Sequence, residues 1–161
     1  MTIDYLKNIA NNCPQGKALL GLDVGKKTIG LSLSCPNHSL ATPLQTIKRV
    51  KFSKDMLFLS QVAQDYEVGG YIIGLPVNMD GTEGRRVQSI KDFTMEMERS
   101  IGNDVWIAYW DERLSTVSAD NIVDNLVEKR KTKINAKASG LIDKLAAQTI
   151  LQSALDYMKH N

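Results

Sequence analysis

The feature that most constrains the fold is a pair of extended segments between residues 18 and 34, joined by a short turn. The first segment, ALLGLDV, is an almost continuous apolar run, which is typical of a strand covered on both faces. The second, IGLSLS, alternates apolar and polar residues, which is typical of a strand. The intervening VGKKT places Gly25 in the turn. We therefore predict a β-hairpin whose first strand is buried.

Strand and helix patterns alternate along the rest of the chain. Residues 40–50 are a further extended stretch, which Pro43 restricts to an edge or interrupted strand. After it, short apolar runs alternate with segments whose apolar residues have helical spacing. These segments predict a helix over 53–66, a strand over 70–76, a helix over 83–100, a strand over 105–110, a helix from Ser115 or Thr116 to about 128, and a helix over 140–158. This order predicts an α/β domain with a mixed central sheet flanked by helices.

The chain is long enough for one domain, since it has 161 residues of which 43% are hydrophobic. Residues 17–161 form the predicted domain, and residues 1–16 are predicted to be an N-terminal extension with a short helix. No apolar run approaches the roughly 20 residues that span a bilayer. The first seventeen residues contain no apolar secretory segment, and the two cysteines form neither a disulfide framework nor a metal pattern. We expect a cytoplasmic protein with no membrane partner.

Positive charge is concentrated in two short windows of the sequence. Residues 48–54 carry +4 and residues 129–144 carry +5, which leaves −7 for the remainder of a chain whose net charge is +2. Basic windows beside an acidic body suit a phosphate backbone that reaches an acidic, metal-binding site. A solvated loop is the alternative for the second window. Its candidate nucleic-acid-binding residues are Lys129, Arg130, Lys131, Lys133 and Lys137.

Acidic residues fall at the ends of predicted elements. Asp23 interrupts the first apolar strand, Asp111 and Glu112 follow the strand VWIAYW, and Asp143 begins the last helix. Because adjacent strand residues point to opposite faces, only one of Asp111 and Glu112 is expected to face the same site as Asp23. Carboxylates that converge in this way can hold two divalent cations for phosphodiester hydrolysis, and an all-oxygen set suits Mg²⁺ or Mn²⁺.

Each acidic residue also has a structural interpretation. Asp23 could accept hydrogen bonds from turn amides, and Asp143 could interact with the helix dipole. Asp111 or Glu112 could pair with Arg113.

Other polar residues are candidates for contacting nucleic acid. Asn78 lies in the turn GLPVNMDG and could face a phosphate or a base, although turn chemistry alone explains it. Lys26 and Lys27 lie in the hairpin turn beside Asp23, where a solvated position is equally plausible. Ser115 and Thr116 are better explained as helix caps than as nucleophiles.

Five segments together resemble the YqgF (RuvX-like) family. They are GLDVGKKTIGLSLS, ATPLQTI, GLPVNMDGTEG, DERLSTVSA and IDKLAAQTILQ, in the family's order and spacing, and the similarity runs from about Lys17 to Tyr157. The family is described as pre-16S rRNA nucleases or Holliday-junction resolvase-like proteins. The N-terminal extension departs from this pattern.

The resemblance implies a ribonuclease H-like fold with a mixed five-stranded sheet and a divalent-metal nuclease that matures the 5′ end of 16S rRNA. It implies Asp23, Glu112 and Asp143 as catalytic and metal-binding residues, with Asp111 as a lesser metal candidate and Arg113 as a phosphate contact. Structured RNA and ribosomal particles are the implied partners.

Three other functions share features of this sequence. A resolvase of four-way DNA shares the same chemistry. A non-catalytic RNA-binding or ribosome-binding protein would keep the fold alone. An actin-like phosphotransferase shares the opening motif, but it needs two related domains and the chain is too short for them.

Overall fold

Six strands form one mixed sheet in the computed structural model, which describes residues 2–102, 104–115 and 136–160 and only the backbone of 136–139. Their order across the sheet is β1-β6-β5-β2-β3-β4. β2 pairs antiparallel with β3 and parallel with β5, and β6 pairs parallel with both β5 and β1. The strands are β1 (Thr2–Tyr5), β2 (Ala18–Val24), β3 (Thr28–Ser34), β4 (Ala41–Lys48), β5 (Val68–Leu75) and β6 (Trp106–Asp111).

Helices cover both faces of this sheet. One face carries a core of apolar strand side chains packed against the buried residues of α2 and α3. On the other face α4 crosses β2, β3, β4 and β5, and its buried residues pack against Leu19, Ile72 and Trp110. The helices are α1 (Leu6–Ile9), α2 (Phe52–Asp65), α3 (Arg85–Ile101) and α4 (Ala136–His160), with 3₁₀ turns at Ala10–Asn12 and Glu112–Leu114.

The predicted hairpin, edge strand and later elements are present. Gly25 lies in the turn between β2 and β3, and β4, which contains Pro43, is an edge strand. β2 is buried along most of its length, as its apolar run predicted. The predicted helix from Ser115 or Thr116 to about residue 128 lies outside the described residues, apart from Ser115 itself.

The N-terminal segment differs from the prediction. Residues 1–16 were expected to contain a helix, but Thr2–Tyr5 is a strand and the α-helical part is the single turn Leu6–Ile9. β1 adds a sixth, parallel strand beside β6, where the ring of Tyr5 meets that of Tyr109 edge-on at 5.9 Å. The predicted five-stranded sheet was therefore one strand short.

None of the helices in the described part of the chain is long and apolar enough to cross a bilayer.

Candidate active site

Asp23 lies between two glycines on the sheet face that α4 covers. It pairs with Gly30 on β3, and the pairing of Leu22 with Ile73 places Gly74 on its other side. Its side chain faces α4 because Gly21, two residues earlier, lies against that helix and strand side chains alternate. Since neither flanking residue has a side chain, the Asp23 carboxylate lies in a gap in the packed layer.

Asp143 brings a second carboxylate to this gap. α4 approaches Gly30 so closely that a Cβ at position 30 would overlap the backbone carbonyl of Asp143. The Asp143 side chain is oriented by Thr28, whose hydroxyl donates to Oδ2 at 2.8 Å. Thr28 begins β3, directly after the hairpin turn, so the hairpin positions both carboxylates.

Burial and like charge disfavour ionised Asp23. Burial is the larger cause and the negative charge of Asp143 adds to it, so that the pKa of Asp23 rises to about 6. The positive charge of Arg86 acts in the opposite direction. Two carboxylates held in a partly buried space at this cost are typical of a functional site rather than of a structural contact.

Glu112 approaches the same gap from β6. Its carboxyl carbon lies 3.3 Å from the position that a Cβ on Gly74 would occupy, next to Ile150 of α4. The three carboxylates therefore surround one gap: Asp143 lies at Gly30, Glu112 lies at Gly74, and Asp23 lies between these two glycines. Three structural elements, β2, α4 and the turn after β6, supply one carboxylate each.

Asp111 is held elsewhere. Its carboxylate accepts from the Arg113 guanidinium, at 2.6 Å for Nη2, and from the Arg113 backbone amide at 3.0 Å. These contacts lower the pKa of Asp111. The expected pairing of one acid with Arg113 therefore applies to Asp111, while Glu112 lies beside the gap.

The three carboxylates suit a hard divalent cation by their chemistry, because Mg²⁺ and Mn²⁺ prefer oxygen ligands. Burial and, after it, the charge of Asp143 raise the pKa of Asp23, and a cation would offset this charge repulsion. Within the residues that the structure describes, no three Asp, Glu, His or Cys side chains are close enough together to form a metal centre. The arrangement is a close pair, Asp23 and Asp143, with Glu112 beside it.

The candidate nucleic-acid contacts are scattered. Lys26 and Lys27 are exposed in the hairpin turn. Asn78 donates from its side-chain amide to Thr82 at 3.0 Å within the turn after β5, and Arg113 is paired with Asp111. The candidates of the second basic window lie outside the described residues: Lys129, Arg130, Lys131, Lys133 and the side chain of Lys137.

Three residues near the site were not proposed from the sequence as contacts. Arg85 and Arg86 begin α3, and Arg86 is near enough to Asp23 to affect its pKa. Thr28 orients Asp143. The arginine pair was visible as GRR at the predicted helix start, but only the fold shows that this helix begins beside β2.

Comparisons with known proteins identify the family of the chain. A family model described as "RuvX: Holliday junction resolvase" matches residues 17–157. A protein of Roseobacter denitrificans is 42% identical over 158 residues, which cover 98% of this chain and 91% of the relative. One of Paramagnetospirillum magneticum is 46% identical over 138 residues, which cover 86% and 84%. Both carry the name "Putative pre-16S rRNA nuclease".

A solved structure supports the fold. RuvC of T. thermophilus, in complex with a Holliday junction substrate, matches with a TM-score of 0.54 over 89% of this chain and 96% of that one, at 11% identity. The ribonuclease H-like α/β fold expected from the sequence is confirmed, with six strands instead of five in the described residues.

Proposed function

Because the chain belongs to the RuvX family of nucleases, we propose that it is a metal-dependent endonuclease that matures the 5′ end of 16S rRNA. The substrate is the precursor RNA, alone or in a ribosomal particle. The names of the full-length relatives support the choice of RNA, and the carboxylates around Asp23 support hydrolysis of phosphodiester bonds.

The observation that carries this proposal is the position of Asp23 between Gly30 and Gly74. A carboxylate in the interior of a strand is unfavourable unless a partner offsets its charge. Here a second carboxylate, Asp143, is brought towards it, and Glu112 stands at the other glycine. Such an accumulation of negative charge is explained by a site that binds cations.

The residues of the chain have distinct roles in this proposal. Asp23, Glu112 and Asp143 would hold Mg²⁺ or Mn²⁺, and this cation, when bound, would supply Lewis acidity for the attack of water and for the charge on the leaving 3′ oxygen. Thr28 fixes the orientation of the Asp143 carboxylate. Gly30 and Gly74 keep the space beside Asp23 free of side chains.

Cleavage of a precursor 16S RNA fragment tests the proposal. Purified protein should cut the RNA at the mature 5′ end with Mg²⁺ or Mn²⁺ and not with EDTA. Asp23→Asn, which keeps the shape of the side chain, should abolish cutting. Asp104→Asn is the matched control. Asp104 is exposed just before β6, at the N-terminal end of the parallel strands, whereas Asp23 lies near their C-terminal end. Cleavage by Asp23→Asn at the wild-type rate would refute the metal assignment.

The cellular role is tested by mapping 16S 5′ ends after depletion of the protein. Extended 5′ ends should accumulate, and they should be removed by the wild-type gene but not by Asp23→Asn. Normal 5′ ends in depleted cells would contradict the proposed role in maturation.

Four-way DNA is the second candidate substrate, favoured by the description of the family model and by the fold shared with RuvC. The same preparation should be assayed on a synthetic junction beside the RNA. Cutting of the junction alone would favour a resolvase. Tight RNA binding without cleavage of either substrate would favour a non-catalytic RNA-binding protein.

The basic window is proposed to hold the RNA backbone. Replacing Lys129, Arg130, Lys131 and Lys133 with Gln should lower the dependence of RNA binding on salt. Binding releases fewer counterions from the RNA when fewer phosphates are contacted. An unaltered salt dependence would leave this window as a solvated loop.

A further inference from the structure

A cavity beside the carboxylate site is lined by positive charge. It has a volume of about 440 Å³ and lies between the β2–β3 turn, the start of α3 and the segment after β4. Its side-chain charges are Lys26, Arg49, Arg85 and Arg86, and no acidic residue is among the described residues that line it. We propose that this cavity binds a backbone phosphate of the substrate RNA strand, next to the phosphodiester that is cleaved. This inference rests on the proposed function.

Arg49 is already oriented for such a contact. Its Nη1 donates to the carbonyl oxygen of Gly25 at 2.6 Å, and its guanidinium carbon lies 5.2 Å from the centre of the Phe93 ring. These two contacts fix the guanidinium plane at the cavity wall. Because a guanidinium has five N–H donors, one bond to Gly25 leaves others for a phosphate.

The start of α3 adds two further arginines and a favourable dipole. Arg85 and Arg86 follow Gly84, and no side chain caps this end of the 17-residue helix or places an acid in its first turn. The N-terminal amides of a helix favour an anion. Arg86 also donates to the carbonyl oxygen of Val24 at 3.5 Å, which connects the helix start to the end of β2.

None of these cations forms a salt bridge within the described part of the chain. The salt bridges there involve Lys91, Arg99 and Arg113, and none of the four cavity cations. Arg86 interacts at longer range with Asp23, but four clustered cations repel one another, so the cluster is better explained by an external anion than by a contribution to stability. Phosphate fits, because a guanidinium can donate two parallel hydrogen bonds to it.

The cavity lies close to the carboxylates that would cleave the strand. Val24 and Gly25, which line it, follow Asp23 directly, and the charge of Arg86 reaches Asp23. A strand bound here would therefore have one phosphate in the basic cavity and a neighbouring one at the acidic site. The cavity offsets the repulsion between the RNA backbone and the three carboxylates.

The test measures RNA binding without cleavage. A short single-stranded RNA with a 3′ fluorescein is titrated against protein carrying Asp23→Asn, at a series of salt concentrations. Arg85→Gln with Arg86→Gln is compared with Arg99→Gln together with Lys159→Gln. The second pair is the control, because it removes the same charge away from the cavity. Arg99 is exposed in the last turn of α3, and Lys159 is exposed near the end of α4.

The Arg85/Arg86 pair should weaken binding by about tenfold for each arginine. It should also lower the slope of log K against log salt by about 0.7 for each lost contact. The control pair should leave that slope unchanged. The inference would be overturned if the two double variants had the same slope of log K against log salt, or if neither slope differed from that of the Asp23→Asn parent.

Arg49 gives an independent variant. Arg49→Lys keeps the positive charge but loses the two parallel N–H donors of the guanidinium. It should weaken RNA binding, while the thermal midpoint of unfolding stays near that of the parent protein. Wild-type binding by both Arg49→Lys and the Arg85/Arg86 pair would overturn the inference.

The 5′ end of the probe distinguishes a backbone phosphate from a terminal 5′ phosphate as the bound group. A backbone phosphate predicts the same effect of the substitutions on RNA with a 5′ phosphate and with a 5′ hydroxyl. An effect confined to the 5′-phosphorylated probe would replace the backbone assignment with a terminal one. The binding result is independent of catalysis. If the wild-type protein did not cleave RNA, the proposed function would be refuted. The cavity assignment would still stand if the cavity variants lowered the salt dependence of RNA binding.

Discussion

The backbone carbonyl of Asp143 lies against the Cα of Gly30, closer than any side chain at position 30 would permit. This contact sets the distance between α4 and the sheet at the end where the carboxylates meet. The same helix is held further along by Ser32, whose hydroxyl donates to the carbonyl of Ala147 at 2.8 Å. The position of the Asp143 carboxylate therefore depends on the absence of a methyl group on the neighbouring strand.

Gly30→Ala should displace α4 around Asp143, within the N-terminal half of the helix. The new methyl group meets backbone atoms, which cannot rotate away, so we expect a loss of about 1–3 kcal/mol of unfolding free energy and a larger loss of nuclease activity. Urea denaturation and the RNA cleavage assay measure the two effects. Gly140→Ala is the control within α4, because its methyl group would meet Thr46 at an ordinary 3.8 Å. It should stabilise the protein by about 0.5–1 kcal/mol. Equal stability of the two variants would show that α4 can move away from the sheet without cost.

Asp23→Asn should stabilise the protein at neutral pH while it abolishes cleavage. The pKa of Asp23 is raised from 3.8 to about 6, so the folded state binds the proton more tightly than the unfolded state does. Wild-type stability should therefore fall as the pH rises from about 4 to 6. The amide removes this loss, and we expect a gain of about 2 kcal/mol at pH 7 that disappears below pH 4.

Chemical denaturation in EDTA at several pH values measures this gain, with Asp104→Asn as the control. A less stable Asp23→Asn protein at pH 7 would show that the carboxylate has a favourable partner in the metal-free protein.

Much of the fold was predictable because its elements have strong local patterns. The β2–β3 hairpin followed from one apolar run and one alternating run, and α3 buries Val87, Ile90, Phe93 and Met97 as its spacing indicated. β1 was missed because its four residues are too few to show a period of two, and its pairing with β6 joins segments about 100 residues apart.

The candidate site was predictable in composition but not in geometry. The position of acids at the ends of predicted elements indicated Asp23, Glu112 and Asp143. The prediction that Asp143 begins the last helix was wrong, because α4 begins at Ala136 and Asp143 lies within its N-terminal half. Strand alternation indicated that Asp111 and Glu112 would separate, but not which of them pairs with Arg113, because that depends on the 3₁₀ turn after β6. The basic cavity combines residues of three separate segments, and no local pattern joins Arg49 to Arg86.

Asp111 and Glu112 should respond differently to loss of charge. Glu112→Gln should reduce cleavage strongly, because Glu112 stands at the gap beside Asp23. Asp111→Asn should keep most of the activity and lose about 1 kcal/mol of stability, because it weakens a partly exposed ion pair with Arg113. Cleavage rates and thermal midpoints of both variants measure this difference, and the reverse pattern would exchange the two assignments.

The two cysteines should differ sharply in reactivity. The hydroxyl of Ser39 and the amide of Leu40 contact the Cys35 sulfur, and the Ser39 contact is the main cause that lowers the pKa of this thiol to about 7. Cys13 is buried, which raises its pKa to about 11. Since the thiolate is the reactive form, iodoacetamide should modify Cys35 with a half-maximal rate near pH 7 and should spare Cys13 until the protein unfolds.

Mass spectrometry of the alkylated peptides across pH measures both rates. Ser39→Ala should shift the Cys35 profile towards the ordinary thiol pKa of 9, because the Ser39 hydroxyl is the main cause of the lowered pKa. An unchanged profile would show that Leu40 and the turn backbone alone stabilise the thiolate. Modification of Cys13 in the folded protein at the rate of Cys35 would instead show that the N-terminal segment opens from the sheet, since Cys13 packs in the core beside Leu6 and Trp106.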